Sequence, residues 1–316
     1  MSPKLKSIVR NASPQAFRTI WWIFKITAIV SFVMFLLKYT GILCWIATAV
    51  SPVFRLFGLP GDASMGFVSG YFINVYSCIA VISSLDLTAR EITILGAMTL
   101  AAHAMIVECA VQKKTGTPIV WSLIVRTVGS ILLGVLLNLV LPGKPSYEIE
   151  TLSLSETTFF SIQGEFLPMF KVWILSLSKL TVWMTCLIYL LNIIQRALYE
   201  YGIMDKVARS LSPLLKIFGL PQKTAFLWIV ANIIGLSYGS AALMDEVERG
   251  NISRREIDLL NTHIGISHSN LEDLLLYASL GASWLVILFS RWIIVTAFVW
   301  ALRTFFLLSS HFSERY

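Results

Sequence analysis

Long, unbroken apolar runs are what most restrict the fold of this chain. The hydrocarbon core of a bilayer takes about 20 mostly apolar helical residues to cross. That ruler marks segments at about 20–39, 63–84, 91–112, 118–141, 167–193, 222–243, 257–280 and 283–308. Two shorter or mixed stretches, 41–57 and 202–218, the second carrying Lys206, Arg209 and Lys216, suit amphipathic helices in the interface or shallow re-entrant segments. Runs of this length lack the period-two alternation of an outer-membrane barrel. Only 14% of the residues are charged, against about 25% in soluble domains, which excludes a water-solvated globular enzyme. The expectation is an all-α polytopic membrane protein with about 8 to 10 membrane helices, interfacial or re-entrant segments included.

The chain also repeats itself. Gly41-Ile42, Ser51-Pro52 and Phe57-Gly58-Leu59-Pro60 recur as Gly202-Ile203, Ser212-Pro213 and Phe218-Gly219-Leu220-Pro221, at a constant offset of 161. After a four-residue insertion the offset becomes 165, and Thr88-x-Arg90-Glu91-Ile92 matches Ser253-x-Arg255-Glu256-Ile257. In that register His103 falls on His268, Glu108 on Asp273 and Arg126 on Arg291. Ionisable residues are rare inside membrane spans, so three coincidences in one register argue for duplication rather than chance.

The divisions that follow are a basic tail (1–19), a first copy (20–141), an acidic linker (142–166), a second copy (167–308) and a C-terminal tail (309–316). The tail carries Lys4, Lys6, Arg10 and Arg18 without the apolar core and cleavage site of a signal peptide. The linker holds Glu148, Glu150, Glu156 and Glu165 against Lys144. The positive-inside rule places the tail, the Gln112-Lys113-Lys114 loop and the Arg196–Lys216 stretch in the cytoplasm, and the linker outside. A unit that begins inside and ends outside crosses an odd number of times, so the second copy then runs inverted. Four clear spans per unit is an even number, so inversion needs an extra crossing by 41–57 and 202–218 or by a hairpin. The net charge of +7 is accounted for by orientation, with no nucleic-acid partner implied. Cys44, Cys78, Cys109 and Cys186 stand singly in apolar stretches and read as buried small hydrophobes.

Thr88 to Glu91 and Ser253 to Glu256 have the form of a capping box, so a helix begins at each. In the helix after Ser253, the residues Asn261, Gly265, His268 and Glu272 share one face, with His263, Ser267 and Asn270 on an adjacent stripe. Asp273 lies about 140° from His268 on an ideal helix, so the two converge only if the helix breaks, which the segment from Gly265 to Asn270 could allow. A histidine and two carboxylates in the bilayer need a polar lumen or a packed polar core. His103 and His268 are then either structural histidines or part of a substrate or proton pathway. Arg126 and Arg291 are expected as charge partners of Glu108 and Asp273, with reception of an anionic substrate as the other reading. Asn74, Tyr76 and Ser77, and in the second copy Asn232, Gly235, Ser237, Tyr238, Gly239 and Ser240, are either packing groups or an unwound run that presents its backbone to a solute.

The doubled FGLP followed by a polar helix, together with Ser267-His268-Ser269-Asn270-Leu271-Glu272-Asp273, resembles the nucleoside-recognition or gate domain family. That domain occurs in concentrative nucleoside transporters, in the membrane region of ferrous-iron transporter B and in spore maturation proteins A and B. The resemblance covers about 41–140 and 202–308, and it implies a helical transport fold with substrate handled between two gates. The cysteine-centred gate motif of the iron transporters and the extended Gln/Asn/Glu signatures of the nucleoside carriers are not evident, with Cys78 the nearest candidate for the former.

The expected function is a secondary transporter or permease of the inner (plasma) membrane, N-terminus cytoplasmic, moving a small polar solute. Its expected substrate-binding residues are His103, Glu108, Asn232, Ser237, Tyr238, His268, Asn270, Glu272 and Asp273. A divalent-metal path through His103, Glu108, His263, His268, Glu272 and Asp273 is the second reading, and a non-transporting membrane scaffold the third. No Walker loop, GxSxG, HExxH or GxGxxG pattern occurs, so neither catalysis nor an organic cofactor is expected. The partners expected are lipid, the transported solute or ion, and a second copy or a membrane subunit.

Overall fold

A computed structural model of the chain describes residues 3–145, 162, 164–233, 235, 243–244, 246–247 and 249–313. Within them the order of elements in the first copy recurs in the second. A long helix α1 (Pro3–Tyr39) leads to an amphipathic α2 (Ile42–Arg55), then to the pairs α3 (Ala63–Phe72) with α4 (Val75–Ile82) and α5 (Ala89–Ala102) with α6 (Met105–Lys114), and finally to α7 (Ile119–Val140). In the second copy the sequence is α8 (Phe166–Glu200), α9 (Ile203–Ile217), a 3-10 turn (Gln222–Thr224) leading into α10 (Ala225–Ile233), the pair α11 (Arg254–Ile266) and α12 (Glu272–Ser279), and α13 (Trp284–Ser313).

Local chemistry sets the same corners twice. Gly41 and Gly202 turn the chain from each long helix into its amphipathic one with φ of 75° and 63°, a left-handed conformation that glycine adopts without a Cβ penalty. The FGLP corners are pinned through their carbonyls: Asn138 Nδ2 donates to Leu56 O at 3.1 Å, and Trp300 Nε1 donates to Ile217 O at 2.9 Å. Both capping boxes form. The Thr88 amide donates to Glu91 Oε2 at 2.8 Å and the Ser253 amide to Glu256 Oε2 at 2.9 Å.

Five helical stretches are long and apolar enough to cross a membrane: Ala16–Tyr39, Ala89–Lys114, Ile119–Val140, Phe166–Leu198 and Trp284–Leu308. Their outer faces are apolar and uncovered, with Ile29, Leu139, Val172 and Ile293 each more than 60% exposed, as hydrocarbon surroundings require. Several of the eight apolar segments are interrupted helices rather than continuous ones. The run 63–84 breaks at Ile73-Asn74, and 257–280 breaks between Ile266 and Glu272. The helix expected over 222–243 begins at Gln222 and is helical to Ile233, beyond which most of it lies outside the described residues. Asn74 makes the first break by capping α4, its Oδ1 accepting from the Ser77 amide at 2.9 Å. Cys78 and Cys109 are buried as expected, but Cys186 is exposed on α8, where a small apolar thiol meets lipid as readily as core. The acidic residues Glu148, Glu150 and Glu156 of the linker lie outside the described residues.

The core is central. Helix α5 packs against α7 and α13, α11 packs against the same two helices, and α1 pairs with α8 at the periphery. The paired histidines follow the C-terminal ends of the two buried helices α5 and α11, the paired acids open α6 and α12, and the paired arginines lie within α7 and α13.

Candidate functional site

Each copy breaks one helix at the same register. Among the described residues, Ala104 and Ser269, 165 residues apart, are the non-glycine residues with left-handed φ, 44° and 50°. Their amides are drawn to matched partners, Ala104 N donating to Gly70 O at 2.9 Å and Ser269 N to Ala231 O at 3.0 Å. A break strands the last carbonyls of the helix before it, and the paired arginines collect them. Arg126 donates to Ala101 O at 3.2 Å and His103 O at 2.7 Å, while Arg291 donates to Ile266 O at 2.8 Å and His268 O at 3.2 Å. The planar fork of a guanidinium suits this clustered carbonyl pattern.

The half-helices after the breaks, α6 and α12, carry acids in their first turns, Glu108 in one and Glu272 with Asp273 in the other. Carboxylates there oppose the positive end of the helix dipole. Glu108 Oε2 meets Arg126 Nη2 at 2.6 Å. Its Oε1 lies 3.1 Å from both His103 Nε2 and His268 Nε2. The two imidazole centroids lie 4.9 Å apart with the rings tilted by 39°, so the duplicated histidines are in direct contact. Asp273 Oδ2 lies 3.9 Å from His103 Nε2. All of these groups are buried or nearly so: Arg291 is 0% exposed, Arg126 and His268 1%.

The second arginine departs from expectation. Among the described residues Arg291 makes no ion pair with Asp273. Its fork is filled by Ile266 O, His268 O, Asn270 Oδ1 at 3.0 Å and Leu100 O of the other copy at 3.2 Å. The longer break of the second copy supplies an extra amide oxygen and takes the place of the carboxylate.

The remaining candidates divide. Asn270 Nδ2 donates to Asn232 Oδ1 at 2.5 Å, which places both beside the second break. Glu272 accepts from the Tyr76 hydroxyl of the first copy. Tyr76 was legible only as part of the polar Asn74-Tyr76-Ser77 run, and nothing in its spacing pointed to Glu272. Ser237 and Tyr238 lie outside the described residues. His263 is removed from the metal set: its Nδ1 accepts from Trp228 Nε1 at 3.1 Å and its ring packs on Phe218 at 4.6 Å, inside an apolar cluster. Of the other metal candidates, His103, Glu108 and His268 bring ligand atoms within 4.8 Å of one another, and neither Glu272 nor Asp273 joins them.

Pairing in this cluster is incomplete. His103 Nδ1, Arg126 Nη1 and Asp273 Oδ2 are buried with no hydrogen-bond partner among the described residues. A separate cavity of about 500 Å³ opens between α1, α4 and α8, lined by Lys38, Asp86, Trp173 and apolar side chains. None of its lining residues belongs to the buried charge cluster.

Fold and buried centre together define a polytopic, all-α membrane protein whose element order is repeated. Residues 20–118, most of the first copy, match the family described as Gate, nucleoside recognition. The fold resembles that of CNTnw, a concentrative nucleoside transporter solved in an inward-facing substrate-bound state, with a TM-score of 0.50 over 96% of this chain and 87% of that one at 12% identity. In sequence, the chain is 28% identical over 281 residues to the uncharacterized membrane protein YvoD of Bacillus subtilis (strain 168), 88% of both chains.

Proposed function

We propose that this protein is a secondary transporter of the plasma membrane that moves a small polar solute of nucleoside-like type past the paired helix breaks. The observation that carries the reading is the set of unpaired buried polar atoms, His103 Nδ1, Arg126 Nη1 and Asp273 Oδ2, where two duplicated breaks converge. Burying an unpaired polar group costs about 1–3 kcal/mol, and a scaffold has no use for such groups. A solute-handling centre does, because broken helices at membrane depth offer backbone and side-chain groups to a passing ligand. The match to the nucleoside-recognition family and the fold shared with CNTnw support the solute class. In this reading the copies run in opposite senses through the bilayer, the N-terminus is cytoplasmic and an ion gradient supplies the energy.

The test is uptake of radiolabelled uridine, adenosine and guanosine into proteoliposomes. Wild-type vesicles are expected to accumulate at least one of them, and His268→Ala and Glu272→Ala to lower the initial rate about tenfold or more, the scale of losing one charged contact. Wild-type vesicles no different from protein-free ones, or variants equal to the wild type, would overturn the reading.

A further inference from the structure

We propose that His103, His268 and Glu108 form a site for one divalent transition-metal ion that bridges the two copies. The first argument is a tautomer. His268 Nδ1 lies 2.6 Å from Ile264 O, and a carbonyl only accepts, so the proton sits on Nδ1. A neutral ring then turns the bare lone pair of Nε2 toward Glu108 Oε1 at 3.1 Å. Two acceptors facing each other in a buried site need a cation between them. A histidine whose far nitrogen donates to a backbone carbonyl is the usual arrangement around a bound metal.

The second argument is the shape of the donor set. Arg126 Nη2 holds Glu108 Oε2 at 2.6 Å and leaves Oε1 free to face both rings, each Nε2 3.1 Å away. Metal–ligand bonds of about 2.0–2.2 Å in a tetrahedral site place ligand atoms about 3.3 Å apart, close to these gaps. Asp273 Oδ2, 3.9 Å from His103 Nε2 and without a hydrogen-bond partner, is a further carboxylate beside this three-residue set. Two imidazole nitrogens and carboxylate oxygen select zinc, iron, cobalt or manganese over magnesium or calcium. The carboxyls of Glu108, Glu272 and Asp273 also outnumber the guanidiniums of Arg126 and Arg291, which offsets the repulsion those arginines exert on a cation.

The site shares residues with the proposed transport centre, but its test needs no solute. The full chain in detergent is stripped with a chelator, dialysed against Co2+ and read by elemental analysis and visible absorption. One Co2+ per chain with the intense bands of a tetrahedral site is expected. His268→Gln and Glu108→Gln should each weaken Co2+ by about 100-fold or more, since losing a ligand costs at least as much as the 10–100-fold of disturbing the groups behind it, while Glu256→Gln leaves it unchanged. No stoichiometric Co2+ in the wild-type chain overturns the proposal, whatever the variants do. So does a band unchanged in a correctly folded His268→Gln protein, the outcome if a proton rather than a metal occupies Nε2. Co2+ bound without nucleoside uptake would remove the transport reading alone, and uptake by metal-free vesicles without Co2+ binding would remove this one alone.

Discussion

Replacing Arg291 with methionine tests how the two copies are held together. The side chain is fully buried and donates to four acceptors from three segments: Ile266 O at 2.8 Å, Asn270 Oδ1 at 3.0 Å, Leu100 O at 3.2 Å and His268 O at 3.2 Å. Hydrogen bonds from a charged donor contribute about 1.5–3 kcal/mol each, a gross sum of about 6–12 kcal/mol. Methionine also relieves the desolvation of the guanidinium, which costs several kcal/mol, so the net loss expected is about 3–5 kcal/mol. Arg126→Met should lose more, although Arg126 reaches only two carbonyls, because it also leaves Glu108 buried without its 2.6 Å partner. Arg291→Lys keeps the charge but loses the planar fork, and should fall between wild type and Arg291→Met. The assay is equilibrium unfolding of the purified chain in mixed micelles, followed by tryptophan fluorescence. An Arg291→Met protein within about 1 kcal/mol of wild type, or one less stable than Arg126→Met, would refute this account of the fork.

Two further outcomes follow from local geometry. Ala104→Gly and Ser269→Gly should each stabilise the chain by about 1 kcal/mol, since φ of 44° and 50° carries a steric cost that glycine lacks; thermal melting that shows both destabilised would mean the backbone there is not left-handed. At the second capping box, burial alone lifts the pKa of Glu256, but hydrogen bonds from Lys223 and Ser253 outweigh it and hold the carboxyl below its usual 4.5. A depressed folded-state value means the stabilisation is present above the unfolded pKa of about 4.5 and is lost as the pH falls below it. Glu256→Gln can keep the box's hydrogen bond but loses the half-exposed pair with Lys223, so it should cost at most about 1 kcal/mol at neutral pH and flatten that acid limb of the stability profile; an unchanged limb would show that the carboxylate is not coupled to the fold.

Much of this centre could be read from the chain because buried charge is rare. His103, Glu108 and Arg126 stood out in an apolar background, and their recurrence at one offset fixed the second set without any structure. The same offsets relate Gly70 to Ala231, Ala101 to Ile266 and Ala104 to Ser269, so the backbone contacts repeat along with the side chains. The breaks of the first copy were not legible in the same way. Nothing between Leu100 and Met105 reads as a helix stop, since neither glycine nor proline stands there. The interruption is made by groups far away in sequence: the Gly70 carbonyl that takes the Ala104 amide, and the Arg126 guanidinium that takes the freed carbonyls. Asn74 was a usable signal, because an asparagine inside an apolar run is a natural helix cap, yet length and hydropathy outweighed it in reading 63–84 as continuous.

Duplication accounts for the frame of the site, and divergence accounts for its chemistry. If both copies had kept the same residues, each break would hold a closed set of arginine, carboxylate and histidine, and the centre would be two inert, satisfied clusters. Instead the first break is closed by the Arg126–Glu108 pair, while at the second Asn270 stands in for the carboxylate on Arg291. Asp273, the counterpart of Glu108, is thereby released toward His103 of the other copy, and Glu272 is tied to Tyr76 across the same boundary. The polar contacts that cross between copies are thus the ones the internal symmetry does not require. Asymmetry of this kind is costly to keep in a low-dielectric core. Beyond the Arg126–Glu108 ion pair, the described atoms of the centre without a hydrogen-bond partner are on His103, Arg126 and Asp273, so the centre is left open on both sides of the boundary between the copies.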